Sequence, residues 1–161
     1  MRRAWPLMLL LGCTRPPEQP EQPAGAAAAE APALVWNDIA SIDELATLAA
    51  AAHEANKGLM LDVRASWCMP CRDLETKTFA EPSVATVLAR DWVLARLDVT
   101  ETTPAAESLQ RRLGATALPW VVLWSLRPDD AESFSHGQLP EAGYVVKTFV
   151  TAEELAPHLV H

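Results

Sequence analysis

The sequence predicts an α/β fold with a mixed central sheet and helices on both of its faces. Short apolar segments that are typical of strands alternate with amphipathic segments that are typical of helices, in the order α, β, α, β, α, β, β, α. A helix between two strands favours parallel pairing, whereas the last two strands follow each other directly and favour an antiparallel pair. Half of the 161 residues are apolar, which suffices for one packed domain with a tail.

The first predicted helix begins at Ser41, which forms a capping box with Glu44. Apolar residues recur at helical spacing after this box, and Gly58 is expected to end the helix. The next segment, LMLDV at 59–63, is short and apolar, and a pair of cysteines follows it. It predicts a buried strand that leads directly to the cysteines.

The remaining elements continue this alternation. Helices are predicted at 72–79, 83–90 and 105–114, and Gly114 is expected to close the last of them. Strands are predicted at 92–99, 119–125 and 144–150. Thr151 and Glu154 form a second capping box for a short final helix, which Pro157 should kink or shorten. Residues 126–143 carry several proline, glycine and aspartate residues and predict a partly ordered insertion.

The first residues, MRRAWPLMLLLGC, place positive charge, a short apolar run and a small residue in the order of a secretory signal. The ending resembles a bacterial lipobox, which predicts a signal peptide at 1–12 and lipidation of Cys13. Plain secretion and an ordinary cytosolic start are the alternatives. Residues 13–33 are rich in proline and alanine and predict an extended, lipid-anchored linker. A folded domain is therefore expected at 34–161, on the periplasmic side of a bacterial membrane.

The formal net charge of −8 argues against a surface that binds nucleic acid. No apolar run reaches the roughly 18 residues that a membrane-spanning helix needs, so contact with a membrane is expected only through the lipid at Cys13. The sequence contains no internal repeat. We expect a monomer that reaches other proteins from the end of its linker.

Two of the three cysteines lie three positions apart in ASWCMPCRDL, between the strand at 59–63 and the helix that follows. This placement puts Cys68 at a helix N-terminus, where free N–H groups and the helix dipole stabilise a thiolate. A Cys68 thiolate can attack a disulfide of another protein, and Cys71, one turn later, can attack back and release the product. Pro70 suits the first helical turn, because it has no N–H to leave unpaired.

The cysteine pair has two alternative roles. A zinc site needs four ligands, and the four histidines show no ligand spacing, so no metal is predicted. A structural disulfide without exchange activity is the second alternative. The position of the C-x-x-C motif at a strand–helix junction of an α/β pattern favours redox chemistry.

These residues give the sequence its resemblance to the thioredoxin superfamily, and within it to the C-terminal thioredoxin-like domain of the DsbD thiol:disulfide interchange family. The similar segments are MLDVRASWCMPCRDLETKTFAEPSV, VLARLDVT, LGATALPWVVLW and TFVTAEELAPHL. They cover most of residues 57–161 apart from 126–143. The resemblance implies a thioredoxin-like fold and thiol-disulfide oxidoreductase activity without a cofactor.

The resemblance assigns Cys68 as the nucleophile and Cys71 as the resolving thiol. It also assigns Asp62 as a buried acid that moves a proton to and from Cys71. The chemistry of the residue agrees, because a carboxylate inside an apolar strand should have a raised pKa and can act as a base near neutral pH. The alternative for Asp62 is a strand residue that faces solvent.

The resemblance also implies a substrate-binding surface. Pro119 after Leu118 matches the superfamily's cis-proline, which faces the cysteine pair and helps to bind the incoming chain. The sequence by itself shows only an X-Pro bond, and most such bonds are trans. Trp67 matches the aromatic residue beside the nucleophile, with core packing as its alternative.

Three residues depart from the family pattern. Arg64 has the same strand parity as Asp62, at a position where relatives often have an aromatic residue. It is expected to point outward as a solvated charge rather than to lower the pKa of Asp62. Trp120 stands where thioredoxin usually has a smaller residue, and Thr148 replaces a glycine found before the last helix in relatives.

Met69 and Pro70 place no charge and no histidine between the two sulfurs, so a reducing potential is expected. A reductase in an oxidising periplasm needs an electron supply. The expected partners are a membrane electron donor of DsbD type and, as substrates, disulfide-containing secreted proteins or apocytochromes. The alternative functions are an oxidase or isomerase of the same fold, a non-enzymatic binding or assembly module, and a copper chaperone.

Overall fold

The computed structural model describes residues 31–160. The predicted signal peptide, Cys13 and most of the predicted linker lie outside the described residues. The described residues form the strands β1 (Trp36–Asp38), β2 (Gly58–Arg64), β3 (Trp92–Asp98), β4 (Trp120–Trp124) and β5 (Tyr144–Val146). Their α-helices are α1 (Ile42–Glu54), α2 (Met69–Asp73), α3 (Pro82–Asp91), α4 (Pro104–Arg112), α5 (Pro128–Ser135) and α6 (Ala152–Leu155). A π-helix (Leu74–Phe79) continues α2, and a 3₁₀ helix (Ala156–Leu159) continues α6.

The described strands form one mixed sheet in the order β1-β3-β2-β4-β5. Strand β3 pairs in parallel with β1 and β2, and β4 pairs antiparallel with β2 and β5. The mixed sheet and the antiparallel final pair confirm the sequence prediction. The expectation of parallel pairing across every helix is wrong for β4, which follows α4 but runs antiparallel to β2. The chain leaves the sheet at the end of β3, and after α4 it re-enters the sheet at that same end.

Strand β2 lies at the centre of the sheet and packs against helices on both faces. Leu59, Leu61 and Val63 belong to one apolar cluster, which includes buried residues of α1, α4 and α5. Met60 belongs to a second cluster on the other face, which includes buried residues of the π-helix, α3 and α6. The alternation of side chains along a strand explains this division. It places the segment that leads to the cysteines in a strand whose first six residues are buried.

The start of α1 is confirmed, but its predicted end is wrong. Ser41 is the N-cap and forms the expected capping box with Glu44. The helix ends at Glu54, and Asn56 has a φ of 53° in the turn that follows. Gly58 is instead the first residue of β2, where an added Cβ would lie 2.6 Å from Cε3 of Trp92. A glycine is needed there because the Trp92 ring occupies the space of a side chain.

Two elements were not predicted from the sequence. Strand β1 is only three residues long, and α5 lies inside the segment that was expected to be a partly ordered insertion. The Arg127 N–H donates a hydrogen bond of 2.8 Å to Oδ2 of Asp130 at the start of α5. Phe134 packs its ring edge-on against Trp124, with 5.4 Å between ring centroids. Helix α5 is therefore part of the packed domain.

The other residues that were predicted to begin or end a helix do so, although the elements are shorter than predicted. Gly114 has a φ of 67° and follows α4. Thr151 is the N-cap of α6 and forms a capping box with Glu154. Helix α6 lasts only four residues before the 3₁₀ helix that contains Pro157. Strand β5 ends at Val146, four residues before the predicted end at 150.

Candidate active site

Cys68 and Cys71 form a disulfide at the beginning of α2, with their Cα atoms 5.3 Å apart. Cys68 is the N-cap residue, and its Sγ accepts a hydrogen bond of 3.2 Å from the Cys71 N–H. Pro70 lies in the first turn. After reduction, the same N–H and the helix dipole would stabilise a thiolate at Cys68. The structure therefore describes the oxidised pair and gives Cys68 the surroundings of a nucleophile.

The disulfide is nearly buried, while the side chains next to it in the chain are exposed. Cys68 and Cys71 are 5% and 3% exposed, whereas Trp67 is 66% and Met69 60% exposed. The alternative of core packing is therefore wrong for Trp67. Large apolar side chains at the surface offer contact area to another protein chain.

The Leu118–Pro119 peptide bond is cis, as the resemblance implied. Pro119 is buried directly before β4. Leu118 packs against the apolar cluster that contains both cysteines and Trp120. The Lys147 ammonium lies 4.5 Å from the centroid of the Trp120 ring. The large residue at 120 is thus accommodated in the same cluster as the disulfide. The role of Leu118 and Pro119 in substrate binding stays a prediction.

Asp62 is a buried acid in the middle of the sheet. It is 3% exposed, so the alternative of a solvent-facing strand residue is wrong. Burial raises the pKa of Asp62 to about 6, against the opposing effect of the positive charges of Arg96 and Arg64. The negative charges of Glu75 and Asp98 raise this pKa further, to a smaller extent. A carboxyl group with such a pKa can both accept and release a proton near neutral pH.

Asp62 belongs to a group of four charged residues, which we call the charged cluster and which consists of Asp62, Arg64, Glu75 and Arg96. Glu75 of the π-helix accepts hydrogen bonds from both arginines, from Arg64 Nη1 at 2.6 Å and from Arg96 Nη2 at 3.0 Å. Arg96 Nε lies 3.7 Å from Asp62 Oδ2. The arginine side chains are only 17% and 16% exposed. Charges that are shielded from water in this way act on one another strongly.

The charged cluster corrects one expectation and adds residues that the sequence did not point to. Arg64 is not a solvated charge, because its side chain is mostly buried and bound to Glu75, and it lowers the pKa of Asp62. Arg96 is the cross-strand partner of Asp62, and its Cζ lies 4.3 Å from the centroid of the Trp36 ring. The sequence does contain one signal for Arg96, which is an arginine inside the otherwise apolar segment VLARL.

The fold and the cysteine pair define the class of the protein. Residues 40–124 match a family model described as thioredoxin-like, which is more than half of the chain. The mixed sheet and the disulfide at the junction of β2 and α2 agree with this match. The chain belongs to the thioredoxin-like family, and its site supports thiol-disulfide oxidoreductase activity.

The chain is also similar to curated proteins named thiol:disulfide interchange protein DsbD. It is 34% identical to DsbD of Cronobacter sakazakii over 136 residues and 31% identical to DsbD of Escherichia coli K12 over 126 residues. These matches cover 84% and 78% of this chain, but only 21% and 20% of the relatives. The chain thus spans about a fifth of the length of the curated relatives that it matches.

Solved structures confirm the resemblance. The oxidised DsbD C-terminal domain of Neisseria meningitidis is 26% identical, with a TM-score of 0.55, and the match covers 75% of this chain and 95% of that one. A thioredoxin from Thermus thermophilus is 21% identical, with a TM-score of 0.58, and the match covers 78% of this chain and 84% of that one. The thioredoxin supports the fold, and the DsbD domain also supports the placement within the superfamily.

Residues 31–160 lack two further features. None of the helices in this part of the chain has the length and apolar character needed to cross a membrane. The same residues contain no group of three or more His, Cys, Asp or Glu side chains placed to hold a metal ion.

Proposed function

We propose that the protein is an extracytoplasmic thiol-disulfide reductase that exchanges disulfides with other proteins through Cys68 and Cys71. The observation that carries the proposal is the disulfide at the start of α2, which is nearly buried while its neighbours Trp67 and Met69 are exposed. Membership of the thioredoxin-like family supports disulfide exchange as the chemistry. The proposal adds the direction of electron flow, the location and the partners.

The reaction starts from the reduced pair. The Cys68 thiolate attacks one sulfur of the substrate disulfide, an S–S bond forms between them, and the other substrate sulfur leaves as a thiolate that solvent protonates. The Asp62 carboxylate takes the proton of the Cys71 thiol. The Cys71 thiolate then attacks Cys68 Sγ, which forms the Cys68–Cys71 disulfide and releases the second substrate thiolate. That thiolate takes the proton from Asp62, and two electrons have passed to the substrate.

The substrate chain would be held by side chains around the disulfide. Trp67 presents a large exposed ring directly before Cys68. Leu118 precedes β4 and packs against the apolar cluster that contains the disulfide, and the cis-bonded Pro119 follows it. The family resemblance implies that Pro119 helps to bind the incoming chain, and the exposed Trp67 ring offers contact area next to the attacking sulfur.

The direction of electron flow is inferred from the two residues between Cys68 and Cys71. Met69 and Pro70 bring no positive charge and no histidine to Cys68, whose Sγ accepts one hydrogen bond from the Cys71 N–H. A thiolate with little extra stabilisation favours the disulfide form of the pair, and a pair that is readily oxidised is a reductant. The protein is therefore assigned to the reducing side of disulfide exchange.

The spent disulfide must be reduced again by a partner that supplies two electrons as a dithiol. We assign this role to a membrane electron donor of DsbD type, a choice supported by the similarity to proteins named for thiol:disulfide interchange. Disulfide-containing secreted proteins or apocytochromes are the proposed substrates. The protein acts as a monomer.

The location is proposed from the first residues of the sequence. The order of charge, apolar run and Cys13 supports a lipidated N-terminus on the periplasmic side of a bacterial membrane. Cys13→Ala should move the protein from the membrane to the soluble fraction of a diderm host, because the anchor is lost. The matched control is Cys68→Ser, which should leave the distribution unchanged. An unchanged distribution of Cys13→Ala would contradict lipidation.

The equilibrium redox potential of the Cys68–Cys71 pair tests the direction. Measured against glutathione, it should lie closer to the about −270 mV of thioredoxin than to the about −120 mV of a strong oxidase. A value near the oxidase would reassign the protein as an oxidase or isomerase. Failure to reduce insulin with dithiothreitol as electron source would indicate a binding module with an inert disulfide. Copper retained after purification would favour a copper chaperone.

A further inference from the structure

Residues 147–149 follow β5 at the end of the sheet where the cysteine pair lies. Strand β4 runs antiparallel to both β2 and β5, so the start of β4 meets the end of each of these strands. Cys68 follows the end of β2, and Pro119 directly precedes β4. Lys147 and Phe149 are exposed at the same end of the sheet. The segment after β5 is therefore a neighbour of the cis-proline.

The Trp120 ring supports the Lys147 side chain. The register of β4 and β5 pairs Val121 with Val146. The next residues towards the cysteine pair, Trp120 and Lys147, therefore lie opposite each other. Lys147 Nζ lies 4.5 Å from the centroid of the Trp120 ring, a distance at which an aromatic face attracts an ammonium group. The ring is only 9% exposed and packs in the apolar cluster that contains both cysteines, so it holds the ammonium group beside the site.

The positive charge of Lys147 is not neutralised by a carboxylate of residues 31–160. Lys77, for comparison, forms an ion pair of 2.7 Å with Asp73, whereas Lys147 forms no ion pair within this part of the chain. The formal net charge of −8 makes the protein as a whole repel acidic peptides. A cation beside the cis-proline offsets this repulsion at the place where the substrate chain is proposed to lie.

We propose that Lys147 is a specificity-determining residue of the exchange site, which selects substrate chains that carry an acidic side chain close in sequence to the attacked disulfide. The carboxylate of such a chain binds the ammonium group on the side that the Trp120 ring leaves open. The inference rests on the proposed exchange of disulfides with other proteins, but it holds for either direction of electron flow. It also depends on the large residue at 120, because a smaller side chain would leave the ammonium group without the ring that holds it.

The test measures how fast Cys68 attacks two peptides that differ only in charge. Each peptide carries one cysteine as a mixed disulfide with 2-thiopyridine, flanked on both sides by glutamates in one peptide and by glutamines in the other. The protein is the full chain with Cys13→Ala and Cys71→Ser, which leaves Cys68 as the only thiol of the chain. The Cys68 thiolate attacks the peptide sulfur, a protein–peptide disulfide forms, and 2-thiopyridine leaves as an anion that solvent protonates. Each rate is divided by the rate of the same peptide with 2-mercaptoethanol, which removes differences in intrinsic reactivity.

This protein should attack the glutamate peptide about two- to fivefold faster than the glutamine peptide, the range for one exposed ion pair. Adding Lys147→Gln should abolish the preference, and Lys147→Glu should reverse it, because a carboxylate would then face the acidic peptide. Lys57→Gln is the matched control, since it removes the same charge directly before β2, at the opposite end of the sheet from the cysteine pair. It should keep the preference for glutamate.

Three results would overturn the inference. The first is a protein that attacks the glutamine peptide as fast as the glutamate peptide, or faster. The second is a preference for glutamate that survives Lys147→Gln. The third is an equal loss of preference in Lys147→Gln and Lys57→Gln, because the peptides would then respond to the net charge of the protein. A protein that forms no adduct with either peptide would refute the proposed disulfide exchange and the inference with it, whereas adducts without a preference would refute the inference alone.

Discussion

The cysteine pair and the charged cluster differ in what surrounds them more than in how deeply they are buried. The cysteine pair is nearly buried, but it follows the exposed Trp67 and lies at the start of a helix. The charged cluster lies on the face of the sheet that the π-helix covers, and Asp62 within it is 3% exposed. Sulfur exchange requires another protein to approach, whereas the raised pKa of Asp62 requires its carboxyl group to be shielded from water. The fold separates the two requirements while one strand, β2, leads to both.

The first way to test this comparison is to disable the cysteine region alone. Cys68→Ser should abolish disulfide reduction, because it removes the attacking sulfur. Cys71→Ser should still attack but fail to release the product, so mass spectrometry should show a mixed disulfide with the substrate through Cys68. Both variants should keep the fold. An adduct that forms only through Cys71, in the Cys68→Ser variant, would reverse the assignment of the two sulfurs.

The second test disables the charged cluster and leaves the cysteines in place. Asp62→Asn keeps nearly the same shape but removes the base, so the reductase rate near neutral pH should fall by about 10- to 100-fold. The rate should also lose the part of its pH dependence that reflects the Asp62 carboxyl group. An unaltered pH–rate profile in Asp62→Asn would show that the proton of Cys71 travels by another route.

The same variant should also change the stability of the oxidised protein. The pKa of Asp62 is raised from the ordinary 3.8 to about 6, so between these pH values the folded protein binds more protons than the unfolded chain. The unfolding free energy therefore falls as pH rises through this window. The difference of about two pKa units corresponds to about 3 kcal/mol as an upper estimate.

Denaturant unfolding of wild type and Asp62→Asn at pH 4 and pH 7 measures this pH-dependent contribution of Asp62 to the unfolding free energy. The difference between the two proteins cancels the contributions of other acids whose pKa values are lowered, such as Asp98. Asp62→Asn should gain stability relative to wild type as the pH rises. A variant that is equally destabilised at both pH values would show that the Asp62 side chain stabilises the fold independently of its ionisation.

The cysteine region was predictable from sequence to a greater extent than the charged cluster. A strand, a C-x-x-C motif and a helix are neighbours in the chain, so local signals place Cys68 and Cys71 correctly. The capping boxes at Ser41 and Thr151 are equally local and were predicted without error. Such features need no knowledge of which strands pair.

The charged cluster depends on pairing between distant segments, which the sequence does not reveal. Arg96 meets Asp62 only because β3 lies beside β2, and Trp36 meets Arg96 only because the three-residue strand β1 pairs with β3. Arg64 was expected to face solvent, because its contact with Glu75 depends on how the π-helix packs over this face of the sheet. Helix α5 was missed for a similar reason, since its packing of Phe134 against Trp124 is a tertiary contact.

The close approach of Gly58 to Trp92 also fixes the alignment of the two central strands. Gly58 and Trp92 are paired residues at the first position of the β2–β3 ladder. The Trp92 ring is buried, and its Nε1–H donates to the Leu159 carbonyl, so the ring has little freedom to move. A slip of one residue would turn every side chain of β2 to the opposite face. The face of the sheet on which Asp62 meets Arg96 is thus determined four residues upstream, by a residue that has no side chain.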